Sequence, residues 1–408
     1  LTAALTLACS ASWAQTAAAT PTKGGAANLA MVGEPQGLDP MVSTADLVGT
    51  IMQHVYETLY TFDAKWNVVP MLADGLPKVS ADGKSYQIKL RKGVMLHNGR
   101  ELNADDVVAS LQRWMEQSPR GKGLAKEVES LKAQGSHALE FVLKQPYAPL
   151  VSQLALPSGM AAIMAKDSIA TPLTQFVGTG PYQFKERKPD AYVLLTRFDK
   201  YSARKEPASG YGGKREALIA ELRFVPVPNA NTRVEGSLAG QYDYADLLPT
   251  EALSRLEQSG GKTVPILTAS FGFPYLVFNT KEGVAANLGL RQALQTALGE
   301  GEMLAAGFGD TRFFSVEGHH FPKGSPFYST AGTDRYNQRD ARKSRAEADK
   351  AGYKGEPIKI LATKRYNSVF NIAVLTQAMV QEVGIKAEVE VLDWATLLDR
   401  YNKGNYQA

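Results

Sequence analysis

The sequence predicts an α/β protein, because short strands and amphipathic helices alternate along most of its 408 residues. The clearest case lies near the end of the chain, where strand patterns over residues 358–362 and 385–392 flank an apolar helix pattern over 370–383. Gly384 directly follows that helix pattern and supports its boundary. A strand, a helix and a second strand in this order predict a βαβ unit.

The first part of the chain alternates in the same way. Residues 27–31 have the pattern of a short apolar strand, and we expect a helix over 50–60 with its apolar residues on one face. Asp82 and Gly83 predict a two-residue hairpin turn, since such turns require positive φ angles. Asn103 is the expected N-cap of the next helix, which has two acidic residues in its first turn.

Further elements extend the pattern through the middle of the chain. Strands are expected over 138–143, 192–198 and 222–227. Asn231 is the candidate N-cap of a following helix, and an apolar strand is expected over 275–279.

The composition is that of an ordinary globular chain, with 44% hydrophobic and 21% charged residues and a net charge of +4. Its length favours two or three domains. The charges are scattered, whereas nucleic-acid binding requires a concentrated basic face, so no nucleic-acid partner is expected. Beyond the first residues, no segment is long and apolar enough to predict a membrane span.

The start of the chain has the features of an export signal. An uncharged run of apolar and small residues ends at Ala14 in a pattern that signal peptidase recognises, which predicts a partial signal peptide over 1–14 and a linker over 15–23. Lipid attachment at Cys9, the only cysteine, is an alternative that Thr6 disfavours, because a leucine usually stands there. Cleavage after Ala14 would leave a mature chain without disulfides, cysteine zinc sites or a thiol nucleophile.

No catalytic or metal site is predicted. The five histidines have no partner at metal-ligand spacing, and we interpret the adjacent pair at 319–320 as part of a solvated loop. Gly178 and Gly180 lack the third glycine and the helix of a dinucleotide fingerprint, and they predict a tight turn before a strand. Asp105 and Asp106 would point about 100° apart on a helix, so capping explains them better than acid–base chemistry. We expect neither an enzyme nor a cofactor.

Several motifs occur in a fixed order over nearly the whole chain. Glu-Pro-Gln-Gly-Leu-Asp-Pro forms a first loop at 34–40, followed by Arg-Lys-Gly-Val at 91–94, Ala-Asp-Asp-Val at 104–107, Gly-Thr-Gly-Pro-Tyr at 178–182 and Leu-Arg-Gln-Ala-Leu at 290–294. Each motif is weak alone, but their order and spacing are specific. The sequence resembles the extracytoplasmic solute-binding proteins of the dipeptide, oligopeptide and nickel class, solute-binding protein family 5, and is most like its dipeptide-binding members.

The resemblance implies a two-lobed periplasmic binding protein-like fold with an extra subdomain on the first lobe. The first lobe would comprise residues 24–57 and 175–262, the extra subdomain 58–174 and the second lobe 263–408. Members of the family continue beyond the point where this sequence ends. We therefore expect the C-terminal part of the second lobe to be missing, together with an aspartate that grips the ligand's amino terminus in peptide binders.

The resemblance also implies a function. The protein would be the exported, periplasmic subunit of an ABC importer, closing its lobes around a ligand and delivering it to a membrane permease. We expect a monomer that binds short peptides. Glutathione, nickel chelates and opines are alternative ligands, and a periplasmic sensor or chaperone is an alternative role on the same fold. A secreted hydrolase is disfavoured because no nucleophile with its base is present.

A ligand cleft needs hydrogen-bonding backbone, aromatic walls and a few charges. Arg365 stands where dipeptide binders carry an arginine, so we expect it to grip a ligand carboxylate with two hydrogen bonds; a solvated loop arginine is the alternative. Trp394 is expected either as a wall of the cleft or as a core residue. The remaining candidates are Gln36 and Gly37 in the first loop, with Phe273 and Tyr275 at the start of the second lobe.

Overall fold

The computed structural model describes residues 23–261, 263–268, 272–321, 323 and 328–408. The predicted signal peptide, its cleavage point and Cys9 lie outside these residues, as does the predicted linker up to residue 22. The chain forms two compact units, one that extends to Pro226 and one from Val227 to Ala408. The predicted boundaries of the lobes and of the extra subdomain divide the chain more finely and stay predictions.

The first unit contains two main sheets and a short hairpin. The strands are β1 (Ala26–Met31), β2 (Tyr60–Phe62), β3 (Val68–Pro70), β4 (Lys78–Val79), β5 (Ser85–Lys89), β6 (Val128–Ala133), β7 (Ala138–Leu143), β8 (Tyr182–Lys188), β9 (Tyr192–Arg197) and β10 (Glu221–Pro226). Strand β1 pairs in parallel with β10, and β10 pairs antiparallel with β9, which pairs antiparallel with β8. A second, antiparallel sheet has the order β4-β5-β7-β6, and β2 pairs with β3 in the hairpin. The helices are α1 (Asp46–Met52), α2 (Ala104–Gln117), α3 (Pro119–Ala125) and α4 (Leu150–Gln153).

The predicted hairpin turn and helix cap are both confirmed. Gly83 has a φ of 69° between β4 and β5, a conformation that costs glycine little. The Asn103 side chain accepts a hydrogen bond from the Asp106 backbone N–H at 3.1 Å, and the Asp106 carboxylate accepts one from the Asn103 N–H at 3.1 Å. This capping box begins α2, whose Trp114 is fully buried.

The helix expected over 50–60 is wrong, because α1 ends at Met52. The carbonyls of His54 and Val55 accept hydrogen bonds from Tyr182 and Gly180, at 3.0 and 2.9 Å, so they are not available to a continuing helix. A Cβ atom at Gly180 would lie 2.3 Å from the His54 carbonyl oxygen. Gly180 is therefore required by the close approach of two backbones, and the predicted tight turn is confirmed.

A buried carboxylate holds the same two segments together. Glu57 is 1% exposed and accepts hydrogen bonds from the Thr179 hydroxyl at 2.9 Å and from the Tyr201 hydroxyl at 2.8 Å. The Arg215 guanidinium lies 4.0 Å away and supplies the opposite charge. Because both carboxylate oxygens are hydrogen-bonded, the burial of this polar group is compensated.

His97 is also bonded to this turn, through both ring nitrogens. The Gly178 N–H donates to Nδ1 at 3.2 Å, and Nε2 lies 2.9 Å from the Gly180 carbonyl oxygen. A carbonyl only accepts, so Nε2 carries the proton and Nδ1 is bare. The geometry therefore fixes His97 as a neutral imidazole.

The second unit contains the predicted βαβ unit. Strands β12 (Ile358–Ala362) and β13 (Ala387–Val391) pair in parallel, and α10 (Asn367–Glu382) connects them. The other elements are α5 (Ala230–Leu238), β11 (Tyr244–Ala245), α6 (Leu253–Glu257), α7 (Leu288–Ala297), α8 (Glu300–Phe308), α9 (Ala341–Lys350) and α11 (Trp394–Asn402). Apolar side chains from β12, α7 and α10 form a core separate from that of the first unit.

Two local predictions for this unit are wrong. Asn229, and not Asn231, caps α5, because its side chain accepts from the Thr232 N–H at 3.0 Å. The segment 275–279 is not a strand. Asn279 is held by its side chain, whose amide donates to the Gly404 carbonyl at 2.9 Å, and an apolar pattern alone cannot anticipate this contact.

Stability is expected to fall as the pH drops below about 6.5. Burial lowers the pKa of His97 from its usual 6.5, and burial likewise lowers the pKa of His54. Above pH 6.5 both imidazoles are neutral in the folded and unfolded chains. Below it the unfolded chain takes up protons first, so the free energy of unfolding decreases until the lowered pKa is reached.

His97→Gln tests this prediction by urea unfolding at several pH values between 5 and 8. The variant should be less stable at pH 7.5 but lose less stability on acidification than the wild type. The partly exposed His137 provides the control, as His137→Gln. Equal acid sensitivity in the wild type and in His97→Gln would contradict the assignment.

Candidate functional site

Two of the predicted ligand residues come together beyond the carboxyl ends of β12 and β13. The guanidinium carbon of Arg365 lies 5.7 Å from the centre of the Tyr366 ring, and this ring meets Trp394 edge to face at 5.4 Å. Trp394 is the first residue of α11 and is only partly buried. Tyr366, which sequence reasoning missed, therefore connects the arginine and the tryptophan.

Arg365 has unused hydrogen-bonding capacity. In the part of the chain that the structure describes, its Nε atom is buried and donates no hydrogen bond. Helix α10 begins two residues later, and its N-cap residue, Tyr366, makes no side-chain capping bond. The free N–H groups of a helix start carry partial positive charge, so both features favour an anionic group at this position.

A second arginine adds positive charge nearby. Arg233 is 3% exposed and donates to the carbonyls of Val227, at 2.7 Å, and Leu247, at 2.9 Å. Burial lowers the pKa of Arg233; Asp246 opposes this effect, and the positive charge of Arg365 adds to it. The two guanidinium groups are thus close enough to interact. The proximity of Arg233 to Arg365 could not be predicted from sequence, because the two residues lie far apart in the chain.

Phe273 and Tyr275 belong to another aromatic cluster of the second unit. Their ring centres are 5.8 Å apart, and the His320 ring meets Phe273 edge to face at 5.1 Å. The two residues are 50% and 74% exposed, so large aromatic surfaces remain open to solvent. His320 is exposed and lies in a loop, as expected, and its ring forms part of this aromatic surface. Exposed aromatic rings of this kind can pack against an apolar part of a ligand.

Gln36 and Gly37 occupy the tip of the first loop, in the first unit. Gln36 is exposed and Gly37 is half-buried. Arginines bind the carboxylates at both ends of the loop: Arg187 donates to Glu34, and Arg113 donates to both carboxylate oxygens of Asp39. The other carboxylate oxygen of Glu34 is buried and has no hydrogen-bond partner among the residues described. Neither arginine could be assigned from sequence, because each lies more than seventy positions from its partner.

An open groove of about 510 Å³ lies at the opposite end of β13. Gln377, Gln381, Lys386 and Glu388 line it, and both glutamine amides donate to the Ala387 carbonyl. None of the predicted ligand residues lines this groove. Arg365, whose Nε atom has no hydrogen-bond partner among the described residues, lies instead beyond the carboxyl end of β12, the edge at which open α/β sheets bind ligands.

Within the described ranges, no three His, Cys, Asp or Glu side chains are grouped in a way that could hold a metal ion. The same part of the chain contains no helix of sufficient length and apolarity to cross a membrane.

The family model for bacterial extracellular solute-binding proteins, family 5 Middle, matches residues 67–408. The chain belongs to this family. The family 5 protein is 26% identical to the "Probable peptide ABC transporter periplasmic-binding protein y4tO" of Sinorhizobium fredii over 373 residues, covering 90% of this chain and 70% of that protein. It is also 26% identical to the oligopeptide-binding protein AppA of Bacillus subtilis over 421 residues, covering 96% and 74%.

Solved structures give the same fold. The periplasmic binding protein AgaA of A. tumefaciens R10, in complex with agropinic acid, superposes with a TM-score of 0.78 at 24% identity, covering 94% of this chain and 76% of AgaA. The predicted α/β, two-lobed periplasmic binding protein fold is confirmed. The family match and the relatives named above confirm the predicted class, a solute-binding component of the ABC importer type.

Loss of the Arg113 guanidinium should destabilise the first unit strongly. Arg113 is 4% exposed and binds Asp39, which is 19% exposed. Arg113→Met would leave that carboxylate without its partner in a largely buried site, and we expect the free energy of unfolding to fall by about 3 kcal/mol.

Urea unfolding checks this value against Arg197→Met, which breaks an ion pair with the exposed Asp199. The control should lose no more than about 1 kcal/mol. Equal losses in the two variants would show that burial of the Arg113 pair is not important for stability.

Proposed function

We propose that this solute-binding protein captures short peptides in the periplasm and delivers them to an ABC permease. The observation that supports this most directly is Arg365, a partly buried arginine beside the start of α10 whose Nε atom donates to none of the described residues. A planar guanidinium fits a carboxylate with two parallel hydrogen bonds, and a peptide always offers a carboxylate at its C-terminus. Lysine at this position would lack that geometry.

Each predicted site residue has a role in this proposal. Arg365 binds the ligand carboxylate, and Trp394 with Tyr366 forms an aromatic wall beside it. The backbone of Gln36 and Gly37 offers hydrogen bonds to peptide groups of the ligand. Phe273 and Tyr275 provide apolar surface for a ligand side chain, since both rings are exposed.

The names of the relatives support peptides as the ligand class. Two homologues at 26% identity, which cover 90% or more of this chain, are named for peptide or oligopeptide binding. Agropinic acid, bound by AgaA, is the main alternative, because an opine also carries carboxylate groups that Arg365 could bind. Glutathione and nickel chelates are further alternatives, and a sensor or chaperone role would use the same site without a permease.

The proposal includes the partners and the location. The protein acts as a monomer, is exported to the periplasm by its signal peptide, and docks in its ligand-bound form on an inner-membrane permease. It binds its ligand without transforming it, and it needs no cofactor for this.

A thermal-shift screen tests the ligand class. Dipeptides, tripeptides, glutathione, an opine and a nickel chelate would each be added to the protein. A ligand present at one hundred times its dissociation constant should raise the free energy of unfolding by about 2.7 kcal/mol. We expect the shift with a peptide. A shift with the opine or glutathione alone, or none with any peptide, would contradict the proposal.

The role of Arg365 is tested by removing either the charge of the arginine or the charge of the ligand's C-terminal carboxylate. Arg365→Ala should weaken binding of a peptide about thirtyfold, corresponding to about 2 kcal/mol for a charged hydrogen-bonded pair. A C-terminally amidated peptide should bind the wild type with a similar loss, measured by calorimetry.

The diagnostic measurement combines Arg365→Ala with the amidated peptide, because amidation should change the affinity little once Arg365 is absent. Arg342→Ala, at an exposed position in α9, is the matched control and should bind normally. Additive losses in Arg365→Ala with the amidated peptide would place the carboxylate elsewhere.

A further inference from the structure

We propose that Arg187 is a positioning residue that fixes the first loop, residues 34–40, in the shape that contacts the ligand. The inference rests on the proposed function, because it assumes that the tip of this loop binds ligand. Arg187 lies outside the loop, on strand β8, and would touch no ligand itself. Arg187 would thus control affinity through the backbone of Gln36 and Gly37.

The contacts of Arg187 constrain both a side chain and the backbone of the loop. Its Nε and Nη2 atoms donate to the same oxygen of Glu34 at 3.0 and 2.5 Å, and Nη2 also donates to the Pro35 carbonyl at 2.6 Å. Pro35, whose carbonyl accepts the last of these bonds, is the residue directly before Gln36. One guanidinium group therefore fixes the loop one residue from its tip.

A β-bulge in β8 aims Arg187 at this loop. Phe184 pairs with Leu195 and Arg187 pairs with Val193, with one extra residue in β8 between them. In a regular ladder, residues three apart point to opposite faces of the sheet, whereas the inserted residue brings Arg187 to the face of Phe184. That is the face on which Val193 and Leu195 are buried. The irregularity in the strand thus has a specific consequence for the loop.

The loop is held at its ends and open at its tip. Pro35, Leu38 and Pro40 are buried, whereas Gln36 is exposed. A Cβ atom added at Gly37 would meet no atom of the described residues within 4 Å, apart from its chain neighbours, so the space beside this Cα is open. Arg113 binds Asp39 at the far end, and Arg187 binds the near end. Without Arg187, the tip would have a fixed attachment on one side only.

Fixing the first loop before the ligand arrives should increase the affinity for the ligand. A loop that is already fixed pays little ordering entropy when ligand binds, and a freed loop must be ordered at that moment. We expect Arg187→Met to raise the dissociation constant of a bound peptide about tenfold, with the melting temperature changed no more than in a control. A purely structural role would move the melting temperature and leave affinity unchanged.

The matched control is Arg197→Met. Arg197 is 25% exposed and Arg187 is 26% exposed; both form an ion pair, but the bonds of Arg197 go to Asp199 and to the Leu218 carbonyl and not to the loop. Hydrogen exchange of residues 33–41 in the ligand-free protein and calorimetry with a peptide would be measured for both variants. Arg187→Lys should restore part of the affinity, since it keeps the charge but not the paired hydrogen bonds.

Faster loop exchange and weaker binding in Arg187→Met alone would support the proposal. If hydrogen exchange of the loop is unchanged in Arg187→Met, the positioning role of Arg187 is overturned, whether or not a peptide binds. If the wild type binds a peptide and Arg187→Met binds it with unchanged affinity, the positioning role is overturned as well. A wild-type protein that binds no peptide contradicts the proposed function, whereas the exchange result still decides whether Arg187 fixes the loop. The two failures are therefore distinguishable.

Discussion

The close approach of Gly180 to the carbonyls of His54 and Val55 is the constraint on which the first unit depends. It ends helix α1, starts strand β8 and brings together two segments more than one hundred residues apart. The part of the chain between these two segments therefore begins and ends at the same place in the fold. Buried Glu57, on the first segment, fixes that place by accepting hydrogen bonds from Thr179 and Tyr201, and a larger residue at Gly180 would force the backbones apart.

Strand β8 connects this constraint to the candidate site. It begins directly after the glycine turn, pairs with β9 through a bulge, and carries Arg187 to the first loop. A loop that is fixed by distant arginines can present its backbone at small entropic cost. At the other predicted contact, a buried donor of Arg365 has no partner among the residues that the structure describes, which is unfavourable for folding and useful for binding an anion. Proteins accept such local costs at functional sites.

Sequence patterns predicted the α/β class, the hairpin turn at Gly83, the cap at Asn103 and the βαβ unit, because each depends on neighbours within a few residues. The extent of α1 was wrong because a distant turn competes for its carbonyls. Arg365 was expected from family resemblance and Trp394 from its position just after a strand, but Tyr366, Arg233 and Arg187 were not expected. Their roles depend on contacts between remote segments and on a bulge, and neither leaves a periodic signal.

The proposed function depends above all on one contact, in which Arg365 of this family 5 solute-binding protein holds a peptide by its carboxylate. The most direct measurement is a crystal structure of the protein with the peptide that binds it most tightly. We expect the ligand carboxylate at about 3 Å from the guanidinium nitrogens, with an aromatic wall of Tyr366 and Trp394 beside it. A peptide bound with its carboxylate in solvent, or on another cation, would contradict it.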